Sequence, residues 1–180
     1  MVVVAYVIVA LVALQRLAEL VYAERNTAAL RRRGAIEVGR AHYPFIILLH
    51  LTWLVAILAM LPSRPRLDPA LLVVLVILQV LRVWVMASLG PYWTTRIITL
   101  KEVALVRRGP YRYLRHPNYV IVVLEIAVLP LAFGETAVAI VFSVLNGIAL
   151  GWRIRQENRA LAGRRALPDQ VDAGVPVTRS

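Results

Sequence analysis

The sequence predicts an all-α integral membrane protein of about five transmembrane helices, and three observations carry that expectation. Of the 180 residues 60% are hydrophobic and the mean hydropathy is +0.70, where a soluble domain is about 45–50% apolar. The apolar residues gather into five runs, and a spanning helix needs about 20 such residues. The basic residues fall between those runs on alternate sides, the pattern that sets membrane orientation.

The elements follow in order. The first run, Val2–Tyr22, is too long for a signal peptide. It also carries Arg16 and Glu19 and is followed by no small-residue cleavage site, so it stays in the protein as a span. The basic stretch Arg25–Arg40 comes next, then a second run at Tyr43–Leu61. "LPSRPRLDP" reads as a Pro-rich turn. The third run is Pro69–Leu89, and Gly90–Asn118 is a second basic connection. The last two runs, Tyr119–Phe133 and Thr136–Trp152, share only Gly134 and Glu135 between them and read as a tight helical hairpin. Residues 1–165 form a single domain, and 166–180 are a polar tail expected to lack order.

Seventeen basic residues lie in Arg25–Arg40, Gly90–Asn118 and the stretch from Arg153, against two (Arg64, Arg66) in the other connections. This places the N-terminus outside and the C-terminus in the cytoplasm of a multi-pass protein of the plasma (inner) membrane. A net charge of +11 therefore reads as topology, with membrane lipids rather than nucleic acid as the partner. Twenty of the 21 basic residues are arginine, which suggests a GC-rich bacterial genome. The chain has no cysteine, which excludes thiol catalysis and disulfides. Its histidines His42, His50 and His116 lack metal-ligand spacing, and no phosphate-binding glycine pattern occurs, so no metal is expected.

Four constellations bear on chemistry. "GPYRYLRHPNYV", Gly109–Val120, is broken twice by proline. Backbone of that kind near a membrane is tolerated mainly where protein buries it or where it lines a cavity. Tyr111, Tyr113 and Tyr119 offer flat faces and His116 a ring nitrogen; the same residues would equally serve as an interfacial aromatic belt with arginine anchors. In "GWRIRQENRAL", Arg153 and Glu157 share one helix face at i,i+4, and Arg155 and Arg159 form a second column. The bland reading is a solvated amphipathic helix. Arg16, Glu19, Arg82 and Glu125 are charges within spans, where charge is costly and marks function or snorkels to the interface. "LGPYWTTRI" with Trp93 reads as an interfacial segment.

Taken together, "GPYRYLRHPNYV", a short hairpin and "WRIRQENRAL" resemble the isoprenylcysteine carboxyl methyltransferase family over about Leu100–Leu161. The family pattern G-x-Y-x-x-x-R-H-P-x-Y, two membrane helices, R-x-x-x-E-E is met by Gly109, Tyr111, Arg115, His116, Pro117, Tyr119, Arg153 and Glu157. It departs at the second glutamate, which is Asn158 here. The segments "LGPYWTTRII" and "QRLAELVYAERN" look like a bacterial branch, found beside type III polyketide synthases, that O-methylates alkylpyrones and related lipids. The resemblance implies S-adenosylmethionine as methyl donor, in a cytoplasmic pocket made by the loop before the fourth helix and the C-terminal helix. Gly109, Tyr111, Arg115, His116, Pro117, Tyr119 and Asn158 would form the cofactor site and Arg153 and Glu157 the catalytic pair. A lipophilic acceptor would come from the bilayer, with Arg16, Glu19, Arg82, Trp93 and Glu125 as candidate contacts. Two other classes stand beside this one: a non-catalytic transporter or assembly subunit with Arg16, Glu19 and Arg82 along a pathway, and a sterol-reductase-like NADPH enzyme.

Overall fold

A computed structural model describes residues 1–40, 43–100, 103 and 105–165, with side chains as far as 162. The expected tail at 166–180, His42 and Lys101 lie outside the described residues. Among the described residues the fold is five helices, α1 (Val2–Arg32), α2 (Tyr43–Met60), α3 (Pro69–Leu89), α4 (Pro117–Ala132) and α5 (Thr136–Arg165), with two short strands, β1 (Ile36–Val38) and β2 (Ile97–Thr99). Four of the helices are long and apolar enough to cross a membrane, and α4 is a shorter apolar helix. The expectation of an all-α membrane protein holds.

Helix boundaries follow local chemistry. Asp68 caps α3, its carboxylate accepting from the amides of Ala70 (2.9 Å) and Leu71 (3.2 Å), with Pro69 in the first turn, where its missing N–H costs nothing. Pro117 does the same for α4 and moves its start two residues upstream of the expected Tyr119. α1 and α5 outrun the spans read from apolar runs. α1 continues ten residues past Tyr22, because no Gly or Pro interrupts it before Gly34 and because Ala23, Thr27 and Leu30 bury a face. At 1.5 Å per residue α1 is about 46 Å long, well beyond the roughly 30 Å hydrocarbon core. α5 likewise runs unbroken from its apolar half into the arginine-rich half.

α4 is the central helix. It packs between α3 and α5, and its Ile126, Leu129 and Ala132 are fully enclosed. Trp53 and Ile57 of α2 and Ala5 and Val9 of α1 complete the core. Outward positions on the long helices remain large and apolar, among them Leu11, Leu14, Val76, Val80 and Ile148. An apolar exterior of this kind suits lipid rather than water.

β1 and β2 pair antiparallel, Glu37 opposite Ile98. This ribbon ties the chain after α1 to the chain after α3, at the bundle end that carries Gly109–His116 and the C-terminal half of α5.

The opposite end holds the α4–α5 turn. Gly134 takes φ +85° there, and Glu135 is buried with neither carboxylate oxygen hydrogen-bonded among the described residues. Burial pushes the Glu135 carboxyl up to about 7 from its usual 4.5. Between these values the folded chain holds a proton that the unfolded chain has released, so stability falls as pH rises. The contribution is fully present below pH 4.5 and is lost as pH climbs through 7. Thermal unfolding in detergent from pH 4.5 to 8 is expected to show this decline, and Glu135→Gln is expected to flatten it.

Candidate active site

The Gly109–Tyr119 strip is shaped by two local constraints. Gly109 takes φ +55°, and a Cβ there would lie 2.2 Å from Ser88 Oγ, so only glycine lets the strip lie against α3. A 3-10 turn at Gly109–Arg112 follows, and Pro117 then opens α4. The strip thus crosses the end of α3 and delivers His116, Asn118 and Tyr119 to the mouth of a cavity of about 490 Å³. Ligand sites commonly fall in the range of about 300–1,000 Å³.

The polar part of the cavity lining includes Tyr111, Arg115, His116, Asn118, Tyr119, Arg153 and Glu157. The apolar part includes Leu30 from α1, Leu89 at the end of α3, Trp93 beyond it, and Ile97 and Ile98 of β2. The two columns of α5 separate as their spacing implies: Arg153 is buried, whereas Arg155 and Arg159 are exposed.

Arg153 and Glu157 meet on one hydroxyl. Arg153 Nε donates to Tyr119 Oη at 2.7 Å, and Tyr119 Oη donates to Glu157. Arg153 also donates to the Thr95 carbonyl at 2.7 Å, and its guanidinium lies 5.5 Å from the Tyr119 ring centroid. The His116 ring stacks on Tyr119, centroids 5.1 Å apart and 11° from parallel, with Nδ1 3.7 Å from Glu157 Oε2. Burial first, and the Glu157 charge second, push the Tyr111 phenol well above its usual range, so it stays a hydrogen-bond donor. His116 Nε2 and Asn118 Oδ1 are buried with no hydrogen-bond partner among the described residues.

Of the residues expected at the site, Tyr111, Arg115, His116, Tyr119, Arg153, Glu157 and Trp93 line the cavity. Gly109, Pro117 and Asn158 lie beside it without lining it. Gly109 and Pro117 shape the strip, and Tyr113 is 81% exposed. Arg16, Glu19, Arg82 and Glu125 do not reach the cavity. They form their own cluster between α1, α3 and α4. Arg82 pairs with Glu19 (3.2 Å) and with Glu125, and Arg16 pairs with Glu125 (2.6 Å) and Glu19 (3.1 Å). Gln79 donates to Glu125 at 3.0 Å. Two positive and two negative charges thus close on themselves, which is how charge is held at membrane depth. Reading the sequence missed Asn118 and Thr95. Asn118 sits inside a strip already singled out. Thr95 acts through a backbone carbonyl, which leaves no mark in a sequence.

A bundle of membrane-length helices with a cavity at one end, built from an R-H-P-x-Y strip and an R-x-x-x-E helix, is the arrangement that the resemblance to membrane methyltransferases implies. Residues 70–163 match the model of the isoprenylcysteine carboxyl methyltransferase (ICMT) family, and the chain belongs to that family. It is 38% identical over 162 residues to the uncharacterized protein YpbQ of Bacillus subtilis (strain 168), an alignment that covers 87% of this chain and 95% of that protein. No solved structure matches the chain. Enzymes of the family use S-adenosylmethionine as methyl donor.

Proposed function

We propose that this protein transfers a methyl group from S-adenosylmethionine to an oxygen of a lipophilic small molecule, an alkylpyrone-like or carboxylate-bearing lipid, at the cytoplasmic edge of the membrane. The observation that carries this reading is the Arg153–Tyr119–Glu157 bridge in a cavity lined by both polar and apolar side chains. Donor and acceptor differ in solubility, and such a cavity suits both.

The residues present fit the donor. Tyr111 offers a phenol donor, and Asn118 Oδ1 and His116 Nε2 are polar atoms with no hydrogen-bond partner among the described residues. When bound, S-adenosylmethionine supplies an electrophilic methyl on a sulfonium that departs as a neutral thioether. The chain's own residues then have two tasks. Arg153, held from two sides, orients and stabilises an acceptor oxyanion. Glu157 takes the proton from an enolic acceptor or, for an acceptor that is already a carboxylate, orients Arg153 through Tyr119. Functional coupling to a type III polyketide synthase would supply an alkylpyrone acceptor.

Calorimetry on the purified protein in detergent tests the donor site. His116→Ala is expected to weaken S-adenosylmethionine binding about tenfold while the melting curve stays cooperative, since each tenfold is about 1.4 kcal/mol, the scale of one or two polar contacts. Unchanged affinity would move the donor away from the strip.

The orientation proposed for the site is N-terminus outside and C-terminus cytoplasmic, supported by the arginine distribution. Single cysteines at positions 32, 107 and 64 in this cysteine-free chain test it in intact cells. An impermeant thiol reagent is expected to label 64 alone, and labelling of 107 in place of 64 would invert the orientation.

A further inference from the structure

Glu37 lies outside the stretch that matches the family model, yet its carboxylate is the hub of a charge cluster directly behind the cavity wall. Its side chain is only 2% exposed. Arg31 of α1 donates to one oxygen, with Arg40 3.4 Å away, and Arg96 donates to the other at 3.1 Å. Burial alone would raise the Glu37 carboxyl, but the hydrogen bonds from Arg96 and Arg31 outweigh it and hold the group below its usual range.

Arg96 carries the arrangement toward the site. It lines the cavity, lies 3.4 Å from Glu24 of α1, and its guanidinium sits 4.2 Å from the centroid of the Tyr43 ring at the start of α2. The Tyr43 hydroxyl is 3.1 Å from Thr95 Oγ1. Thr95 is the residue whose carbonyl receives Arg153. Bonds from α1 pin the same connection upstream: Asn26 Nδ2 donates to the Trp93 carbonyl at 2.9 Å and to the Gly90 carbonyl at 3.1 Å, and Tyr22 Oη to the Gly90 carbonyl at 3.0 Å. A three-residue ribbon is too short to hold its own position, so side chains from α1, β1 and α2 must fix where the Thr95 carbonyl stands.

We infer that Glu37 is a positioning residue for methyl transfer: through Arg96 and the Tyr43–Thr95 contact it sets the carbonyl that aims Arg153 at the cavity. This rests on the methyl-transfer reading above and adds a part of the machinery drawn from residues before position 70. Small displacements of an orienting group are costly, of the order of a hundredfold for about 1 Å, whereas a residue that holds Arg153 has no direct hand in donor binding.

The experiment uses the full chain in detergent with S-adenosylmethionine and a long-chain 6-alkyl-4-hydroxy-2-pyrone as the acceptor probe. Glu37→Gln is expected to lower kcat about ten- to a hundredfold with donor affinity within about twofold of wild type. Glu37→Asp is expected to recover part of the loss. The double variant Glu37→Gln/Arg153→Ala should be no slower than Arg153→Ala alone, because the two act through one group. Hydrogen exchange provides a readout that needs no turnover: amides of residues 93–99 should exchange faster in Glu37→Gln while α4 stays protected. Tyr43→Phe, which removes only the hydroxyl, is the milder companion should Glu37→Gln not fold, and it should show the same split between kcat and donor affinity and the same faster exchange. Equal protection of 93–99 in Glu37→Gln and wild type, or equal kcat, would overturn the inference. So would a loss of donor affinity as large as the loss of kcat. If wild type binds no S-adenosylmethionine, the methyl-transfer reading fails, whatever the exchange result says of the Glu37–Arg96 contact.

Discussion

Arg153→Ala is expected to reduce turnover about a hundredfold or more, the usual cost of removing a group that stabilises a developing oxyanion, while S-adenosylmethionine affinity changes much less. The guanidinium is buried and clamped on two sides, by Tyr119 Oη at 2.7 Å and by the Thr95 carbonyl at 2.7 Å. A group so held contributes by being in place before the reaction, and its loss falls on kcat rather than on ground-state binding. Arg153→Lys is expected to recover little, because an ammonium cannot present the fork that reaches both acceptors. Glu157→Ala should behave like Arg153→Ala. Tyr119→Phe, which removes the shared hydroxyl, should also cut kcat. Arg155 and Arg159 are exposed on the other column of α5 and serve as controls. Equal damage from Arg155→Ala would reduce the helix to a basic anchor on anionic lipid.

Arg82→Met is expected to cost folded stability by about 3–5 kcal/mol, the scale for breaking a buried ion pair from one side. Arg82 is 1% exposed and Glu125 0%. Its removal leaves Glu19 and Glu125 facing Arg16 alone, an unbalanced carboxylate at the heart of the α1–α3–α4 packing. Replacing all four charges together with Met and Leu leaves no charge uncompensated, and that variant is expected to melt near wild type. Thermal unfolding in detergent measures both. The same quadruple variant separates a scaffold from a substrate contact or an ion pathway: retained turnover assigns the cluster to packing. A folded but inactive quadruple variant would bring these residues back to the acceptor.

The legible part of this protein was written in short-range patterns. Five apolar runs, an arginine-rich strip with two prolines, and an i,i+4 pair on one helix are all local, so the helices and the two halves of the site could be read from the order of residues. The continuation of α5 past its apolar run is legible in the i,i+4 spacing of Arg153 and Glu157, whereas that of α1 is not, because an apolar run reports where lipid begins and ends and α1 continues on the packing of Ala23, Thr27 and Leu30.

By itself the sequence determined that the chain is a helical membrane protein of the ICMT family, and which strip and which face of α5 carry polar chemistry. Only the tertiary structure decided that Arg153 and Glu157 meet on the Tyr119 hydroxyl, and that Arg16, Glu19, Arg82 and Glu125 neutralise one another away from the cavity. It alone paired Ile36–Val38 with Ile97–Thr99, so that a carboxylate after the first helix accepts from Arg96 of the cavity lining. The reason is physical. Three-residue strands carry no periodicity to detect, a backbone carbonyl such as that of Thr95 has no side-chain signature, and the pairing of charges from three different helices is set by which faces pack together.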